Sequence, residues 1–190
     1  MIGFAITGSF CTISQAIGTI SKLKEKGYDI LPIMSNNAYE TDTRFGKAND
    51  IVEKIHSITE REVIHTIVDA EPLGPKINLD ALIICPCTGN TLSKIANGIP
   101  DTPVCMAAKA HLRNNKPLII ALATNDALSA NLKNIGTLLS RKNVYFVPMR
   151  QDDPISKPHS LVADFDLITD AIEYAKLGKQ LQKIFIKKTP

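Results

Sequence analysis

Residues 86–99 read Pro-Cys-Thr-Gly-Asn-Thr-Leu-Ser-Lys-Ile-Ala-Asn-Gly-Ile, directly after the apolar run Ala81-Leu82-Ile83-Ile84-Cys85. Leu92, Ile95, Ala96 and Ile99 recur at i, i+3, i+4 and i+7, the period of a helix with one buried face. Gly98 stands near the end of that pattern, where helices commonly stop. The stretch therefore predicts a buried strand, a Pro-Cys-Thr-Gly-Asn loop, and a helix. A strand that is apolar throughout, rather than alternating, belongs in a sheet covered on both faces.

The same rhythm extends in both directions. Residues 2–7 read as a strand broken by Gly8-Ser9, and Ile13, Ala16, Ile17, Ile20 and Leu23 give the following helix its apolar face. Gly27 ends that helix, and residues 28–33 form a second strand followed by Ser35-Asn36-Asn37. Ala48, Ile51, Val52 and Ile55 predict a helix, whereas residues 63–68 suit an edge strand or a helix. Two prolines make residues 71–76 a rigid non-helical link. Downstream, a short helix at about 104–113 leads to a strand at 117–123 closed by Thr124-Asn125-Asp126. A helix at 128–139, a strand at 144–148 and a last helix at 168–184 complete the chain. The expected fold is a single α/β domain over residues 1–190. It is Rossmann-like, an open and mainly parallel sheet between two helical layers, with a basic helix or tail at about 168–190.

Composition sets limits on function. A formal charge of +3 is too small to argue for nucleic acid. Lys176, Lys179, Lys183, Lys187 and Lys188 follow the last acidic residue, Glu173, and read as a solvated, frayed helix end. Cys11, Cys85, Cys87 and Cys105 form neither a paired CxxC pattern nor a tetrahedral ligand set, so they read as small buried residues in a reducing compartment, with no metal. No run approaches the roughly 20 apolar residues that span a bilayer, and the first residues lack the basic and apolar parts of a secretion signal. A cytoplasmic protein without membrane contact is expected.

In an open parallel sheet, ligands sit beyond the carboxyl ends of the strands, near a reversal of strand order. Four polar clusters belong on that rim: Thr7-Gly8-Ser9, Ser35-Asn36-Asn37, Thr88-Gly89-Asn90 and Thr124-Asn125-Asp126. Hydroxyls beside helix starts can join free amides in holding a phosphate, and they can equally cap their own helices. Neither GxGxxG nor GxxxxGK[ST] follows the first strand. A mononucleotide fits this rim better than NAD or ATP.

Residues 86–99 resemble the strand–loop–helix motif of the homo-oligomeric flavin-containing cysteine decarboxylase superfamily, P-x-[ST]-[AG]-N-[TS] followed by KIAxGI. Thr7-Gly8-Ser9, the DTPVCMAA stretch at 101–108 and PLIIALATNDA at 117–127 extend the likeness. The resemblance implies FMN held by Gly8, Ser9, Ser35, Thr88, Gly89 and Asn90, with Cys105 and Met106 close by. It also implies a homo-oligomer, a trimer or a dodecamer built from trimers. Two departures count against cysteine-type decarboxylation. The usual PAMN segment reads Ala121-Leu122-Ala123-Thr124-Asn125, and the position of the usual histidine falls at about Pro72.

Residues 37–46, 70–76, 107–117 and 151–163 narrow the likeness to one group of spore-forming bacteria. That likeness implies oxidation of dihydrodipicolinate to dipicolinate in the mother-cell cytoplasm, with NAD(P) carried by a partner A subunit rather than by this chain. An FMN-dependent decarboxylase and a non-catalytic flavin-binding or assembly subunit are the alternatives. A flat dicarboxylate calls for cations, and Arg44, Lys76 and Arg150 are the candidates. His65, His159 and Asp153 are candidate acid–base groups. His65 lies in an apolar run that suits a structural role, Asp153 suits a turn cap, and His111 in its basic segment reads as exposed.

Overall fold

The computed structural model describes residues 1–187; Lys188, part of the expected basic tail, lies outside them. Five parallel strands form the frame: β1 (Ile2–Ile6), β2 (Ile30–Met34), β3 (Leu82–Cys87), β4 (Leu118–Thr124) and β5 (Val144–Phe146). Two short strands, β6 (Met149–Arg150) and β7 (Leu161–Ala163), extend it antiparallel. The sheet order is β2-β1-β3-β4-β7-β6, with β5 also on β4. β5 pairs with the first half of β4 (Leu118, Ile119, Ile120), and β7 pairs with its last two residues (Ala123, Thr124). Strand order reverses between β1 and β3, which is where such sheets open a crevice.

Successive strand residues feed opposite layers. Phe4, Ile6, Ile83, Ile119 and Ala121 pack with helices α1 (Phe10–Glu25) and α3 (Ala48–Thr59) and with the last helix; the short α2 (Asn36–Glu40) lies between α1 and α3 in sequence. Ala5, Leu82, Ile84, Leu118, Ile120 and Leu122 pack on the other side. That layer contains α4 (Ile67–Ala70), α5 (Gly89–Ala96), α6 (Pro103–Leu112) and α7 (Leu132–Leu139). All five apolar positions that predict the first helix are buried. Cys85 and Cys87 would share a face in a regular strand, but the register shifts between Ile84 and Cys87 and sends them to opposite layers.

Several expectations need correction. The strand that begins in the apolar run before Pro86 continues through Pro86 and Cys87, and α5 begins at Gly89, so Thr88 alone separates them. Ile99 falls beyond α5 and is exposed. Residues 63–68 contribute one bridge, Ile33 to Ile64, on the outer edge of β2, before Thr66 caps α4. Residues 126–131 form turns, so α7 begins at Leu132 rather than near 128.

The last helix, α8 (Ile168–Lys176), stops well short of residue 184. Gly178 takes φ +71° while Gly178 N–H and Lys179 N–H bond back to the Ala175 and Tyr174 carbonyls, a glycine-terminated helix end. Beyond it the chain covers sheet edges instead of fraying. Gln180 donates to the Phe146 carbonyl at 2.7 Å and accepts from the Phe146 N–H at 2.8 Å. The Met149 N–H donates to Ile184 and the Met149 carbonyl accepts from Ile186. Covering an edge in this way removes a template for intermolecular pairing.

His111 is 2% exposed, which corrects its expected exposure, and its Nε2 lies 3.0 Å from the Pro117 carbonyl. Burial pushes its pKa below the ordinary 6.5, with the carbonyl opposing. The neutral ring is therefore favoured in the fold, whereas the unfolded chain takes up a proton below pH 6.5. Stability is held above pH 6.5 and falls as the pH drops through the window beneath it. His111→Gln should flatten that loss in urea titrations at pH 7.5, 6.0 and 5.0. An unchanged pH slope would exclude His111 as the titrating group.

Candidate functional site

All four polar clusters lie at the carboxyl ends of β1 to β4, and they meet at the β1/β3 reversal. Thr7 ties the two strands together there: its buried hydroxyl donates to the Pro86 carbonyl at 2.7 Å and accepts from the Thr88 N–H at 2.9 Å. Two cavities flank this knot. A cleft of about 520 Å³ is lined by Gly8, Ser9, Thr88, Thr124 and Asn125, together with Arg44, Phe45, Asp152, Lys157 and Val162. A smaller lobe of about 220 Å³ is lined by Ser35, Asn37, Asn90, Lys94 and Thr102, and it shares Gly8 and Thr88 with the cleft. The larger volume lies within the roughly 300–1,000 Å³ typical of small-molecule and cofactor sites.

Both roles of the polar clusters are present. Ser35 and Thr88 cap their own helices by accepting from Ala38 N–H and Thr91 N–H. Ser9 makes no such cap bond, so the first turn of the sixteen-residue α1 opens onto the cleft without a side-chain acceptor. An uncapped helix start favours an anion through its amides and the helix dipole. Phe10, Phe45 and Val162 add apolar wall.

Gly89 is required by the packing of the protein itself. It is buried, and a Cβ there would lie 2.5 Å from Asn131 Nδ2, 2.7 Å from Asp126 Oδ1 and 2.7 Å from Thr124 Oγ1. Those three side chains form a network: the Thr124 hydroxyl donates to Asp126 at 2.6 Å, Asn131 donates to Asp126 at 2.9 Å, and Asn134 donates to Asn131 at 2.8 Å. The glycine lets α5 start against that network.

The remaining sequence candidates divide between the cleft and other parts of the fold. Gly8, Ser9, Ser35, Thr88, Asn90 and Arg44 line the cleft or its lobe. Cys105 is buried in α6, and Met106 lines a separate depression with Lys109 and Arg113. Lys76 is exposed on a turn that packs, through Gly74, against the end of α6, and it lines neither the cleft nor its lobe. Arg150 is bound to Asp164 at 2.8 Å across β6 and β7. His65 stacks on Tyr39 with ring centroids 3.8 Å apart, and its Nδ1 lies 3.2 Å from the Val63 carbonyl.

His159 is exposed, and its carbonyl accepts from Leu128. Asp153 accepts from the Ser156 and Ile155 amides, which hold its carboxyl below the usual range, as befits a turn cap. Sequence reasoning passed over Lys157, Lys94 and Thr102, and it read Asp152 only beside Asp153, as an acid–base partner, a hold on Arg150 or a turn cap. Asp152 and Lys157 sit in the 151–163 segment that carries part of the likeness, and Lys94 sits in the KIA motif itself.

Burial pushes the thiols of Cys85, Cys87 and Cys105 up, so all three are protonated at neutral pH. Cys11, in contrast, is exposed at the start of α1. Among the described residues, no three His, Cys, Asp or Glu side chains are grouped to hold a metal, and no helix is long and apolar enough to cross a membrane.

The fold and the rim define a class, and the sequence agrees: residues 1–174 match the Flavoprotein family, and the chain belongs to it. Within that family it is a homologue of the B subunit of dipicolinate synthase. It is 47% identical to that protein of Bacillus subtilis (strain 168) over 98% of this chain and 93% of the relative. The crystal structure of the dipicolinate synthase B subunit from Bacillus halodurans C superposes with a TM-score of 0.91 at 44% identity, covering 99% of this chain and 96% of that one. The dodecameric FMN-dependent UbiX-like decarboxylase of Escherichia coli O157:H7 shares the fold, with a TM-score of 0.62 and 23% identity over 78% of this chain and 80% of that one.

Proposed function

We propose that this chain is the flavin-binding subunit of a two-subunit oxidoreductase that converts dihydrodipicolinate to dipicolinate, with NAD(P) on an A-type partner. One observation carries the reading: a two-lobed cleft opens at the β1/β3 reversal beside an uncapped α1, in a close homologue of the dipicolinate synthase B subunit. The residues present suit FMN. Ser35, Thr102, Asn90 and Lys94 supply the smaller lobe with hydroxyl, amide and ammonium donors for a phosphate, while Gly8 and Thr88 connect it to the larger cleft. Phe10, Phe45 and Val162 offer apolar wall there for a flat ring. Bound flavin would supply two-electron acceptor chemistry. The chain's own contribution is to orient the ring, exclude water from it and hold the anionic ends of the substrate.

A homo-oligomer, a trimer or a dodecamer built from trimers, accords with the dodecameric neighbour and with the closed symmetry usual for soluble assemblies. On this reading the protein works in the cytoplasm of the mother cell of a sporulating bacterium.

Calorimetry and reconstitution test the two parts of the reading. FMN should bind the isolated chain more tightly than riboflavin, because the phosphate adds charge-assisted contacts. Partner and chain together should then oxidise dihydrodipicolinate faster than the partner alone. Absence of FMN binding with and without the partner would reject the flavin assignment. A full rate from the partner alone, unchanged by this chain, would reject the catalytic role. Carbon dioxide released from a carboxylated thiol by this chain alone would instead make it a decarboxylase.

A further inference from the structure

We infer that Arg44 and Lys157 are the two anion-binding arms of the cleft and that Asp152 is an internal competitor which holds Lys157 until a dicarboxylate displaces it. The inference rests on the substrate class proposed above and adds to it which residues recognise the substrate and what opposes them.

Among the described residues, Arg44 and Lys157 are the only cations lining the large cleft, and Asp152 is the only acid. They arrive on two separate loops, each tied by its own hydrogen bonds. Residues 41–48 are closed by paired bonds between Thr43 and Gly46, at 3.0 and 3.1 Å, and by Asp42 accepting from the Ala48 N–H at 2.8 Å. The Arg44 guanidinium lies over the Phe45 ring, 4.9 Å from its centroid, an arrangement that favours one orientation of a mobile cation. Residues 151–160 are pinned by Asp153 accepting from Ser156 N–H, by the Lys157 N–H on the Asp153 carbonyl, and by Gln151 donating to the Pro158 carbonyl.

Lys157 Nζ then lies 3.2 Å from Asp152 Oδ2. Both side chains are partly open to solvent, so the pair is weak and exchangeable. With Asp152 ionised the lining carries two positive charges against one negative. A dianion matches the two cations once Lys157 turns from Asp152 to the ligand. Arg44, with no carboxylate within salt-bridge distance among the described residues, takes the other carboxylate through its planar fork.

The probes are pyridine-2,6-dicarboxylate and pyridine-2-carboxylate, titrated into the full chain loaded with FMN. Wild type should prefer the dicarboxylate at low salt, and the preference should shrink as salt rises. Lys157→Met should weaken dicarboxylate binding roughly 10- to 100-fold and pyridine-2-carboxylate binding by much less, the loss of one charge-assisted contact. Lys157→Arg should restore most of it. Asp152→Asn should tighten dicarboxylate binding several-fold, because the competitor has been neutralised while the side-chain shape is kept.

Far-ultraviolet circular dichroism and melting of each variant identify any that fail to fold, and the Lys157→Arg rescue serves as the independent check. Dicarboxylate affinity that is unchanged in Lys157→Met, or weakened in folded Asp152→Asn, overturns the assignment while leaving the proposed substrate in place. Failure of wild type to bind either probe, with or without the partner subunit, overturns the substrate reading and this inference together.

Discussion

Gly89→Ala should destabilise the protein by about 2–4 kcal/mol and weaken FMN binding by the folded fraction roughly tenfold or more. The added carbon would sit inside contact distance of three polar atoms at once, on Asn131, Asp126 and Thr124. None of them is the end of a long, compliant side chain, and two are already bound to each other. The network must open, leaving buried donors or acceptors unpaired, or α5 must move away from β4. Either response disturbs Thr88, which sits between β3 and α5 and lines both lobes of the cleft.

Gly18→Ala is the matched control. Gly18 lies in α1 with nothing within 4 Å of the new carbon, and alanine is the better helix former there, so that variant should gain about 0.5–1 kcal/mol. Urea titration and FMN calorimetry on both variants decide the matter. Gly89→Ala with wild-type stability and affinity would mean that the network relaxes freely and that the glycine is incidental.

The contrast between these two glycines shows how far the sequence was legible. Apolar periodicity located the buried face of α1 and the central strands, because those signals are local and the sheet is covered on both sides. The polar clusters after the strands located the rim, because a strand end and a helix start place their polar residues there in any parallel sheet. What the sequence concealed depended on residues distant along the chain. The use of Gly89 lies 35 to 42 residues away, at Thr124, Asp126 and Asn131.

Arg150 looked like a substrate-binding cation until Asp164 lay beside it, whereas Lys157 drew no reading until the fold brought it to the same cleft as Arg44. The tail read as a frayed basic helix because it carries lysines and no acid after Glu173. The positive φ of Gly178 and the free edges at Phe146 and Met149 redirect it. Charge identity was readable; charge partnership was not.

Phe4→Ala should cost about 3–5 kcal/mol, the usual range for emptying a buried aromatic site. Phe4 has no exposed surface, and in register it lies between Pro32 of β2 and Ile83 of β3, at the centre of the layer capped by α1. Neighbouring side chains are held by three paired strands, so the backbone cannot collapse to fill the hole, and most of the cavity persists. For a chain of this size that loss lowers the melting temperature by roughly 6–20 °C. Phe4→Leu should recover much of the difference because it restores apolar volume. The urea midpoint should move with little change in slope, the sign of a stability change without a change in the denatured state.

The two large perturbations then separate scaffold from site. Phe4 lies three residues before Thr7 and is not a wall residue of the cleft or its lobe, so the folded fraction of Phe4→Ala should bind FMN with near wild-type affinity. Gly89→Ala should lose affinity even where it is folded. An alanine at position 4 that costs less than about 1 kcal/mol would show that the α1 layer closes over the gap, contrary to the close packing expected of such a core.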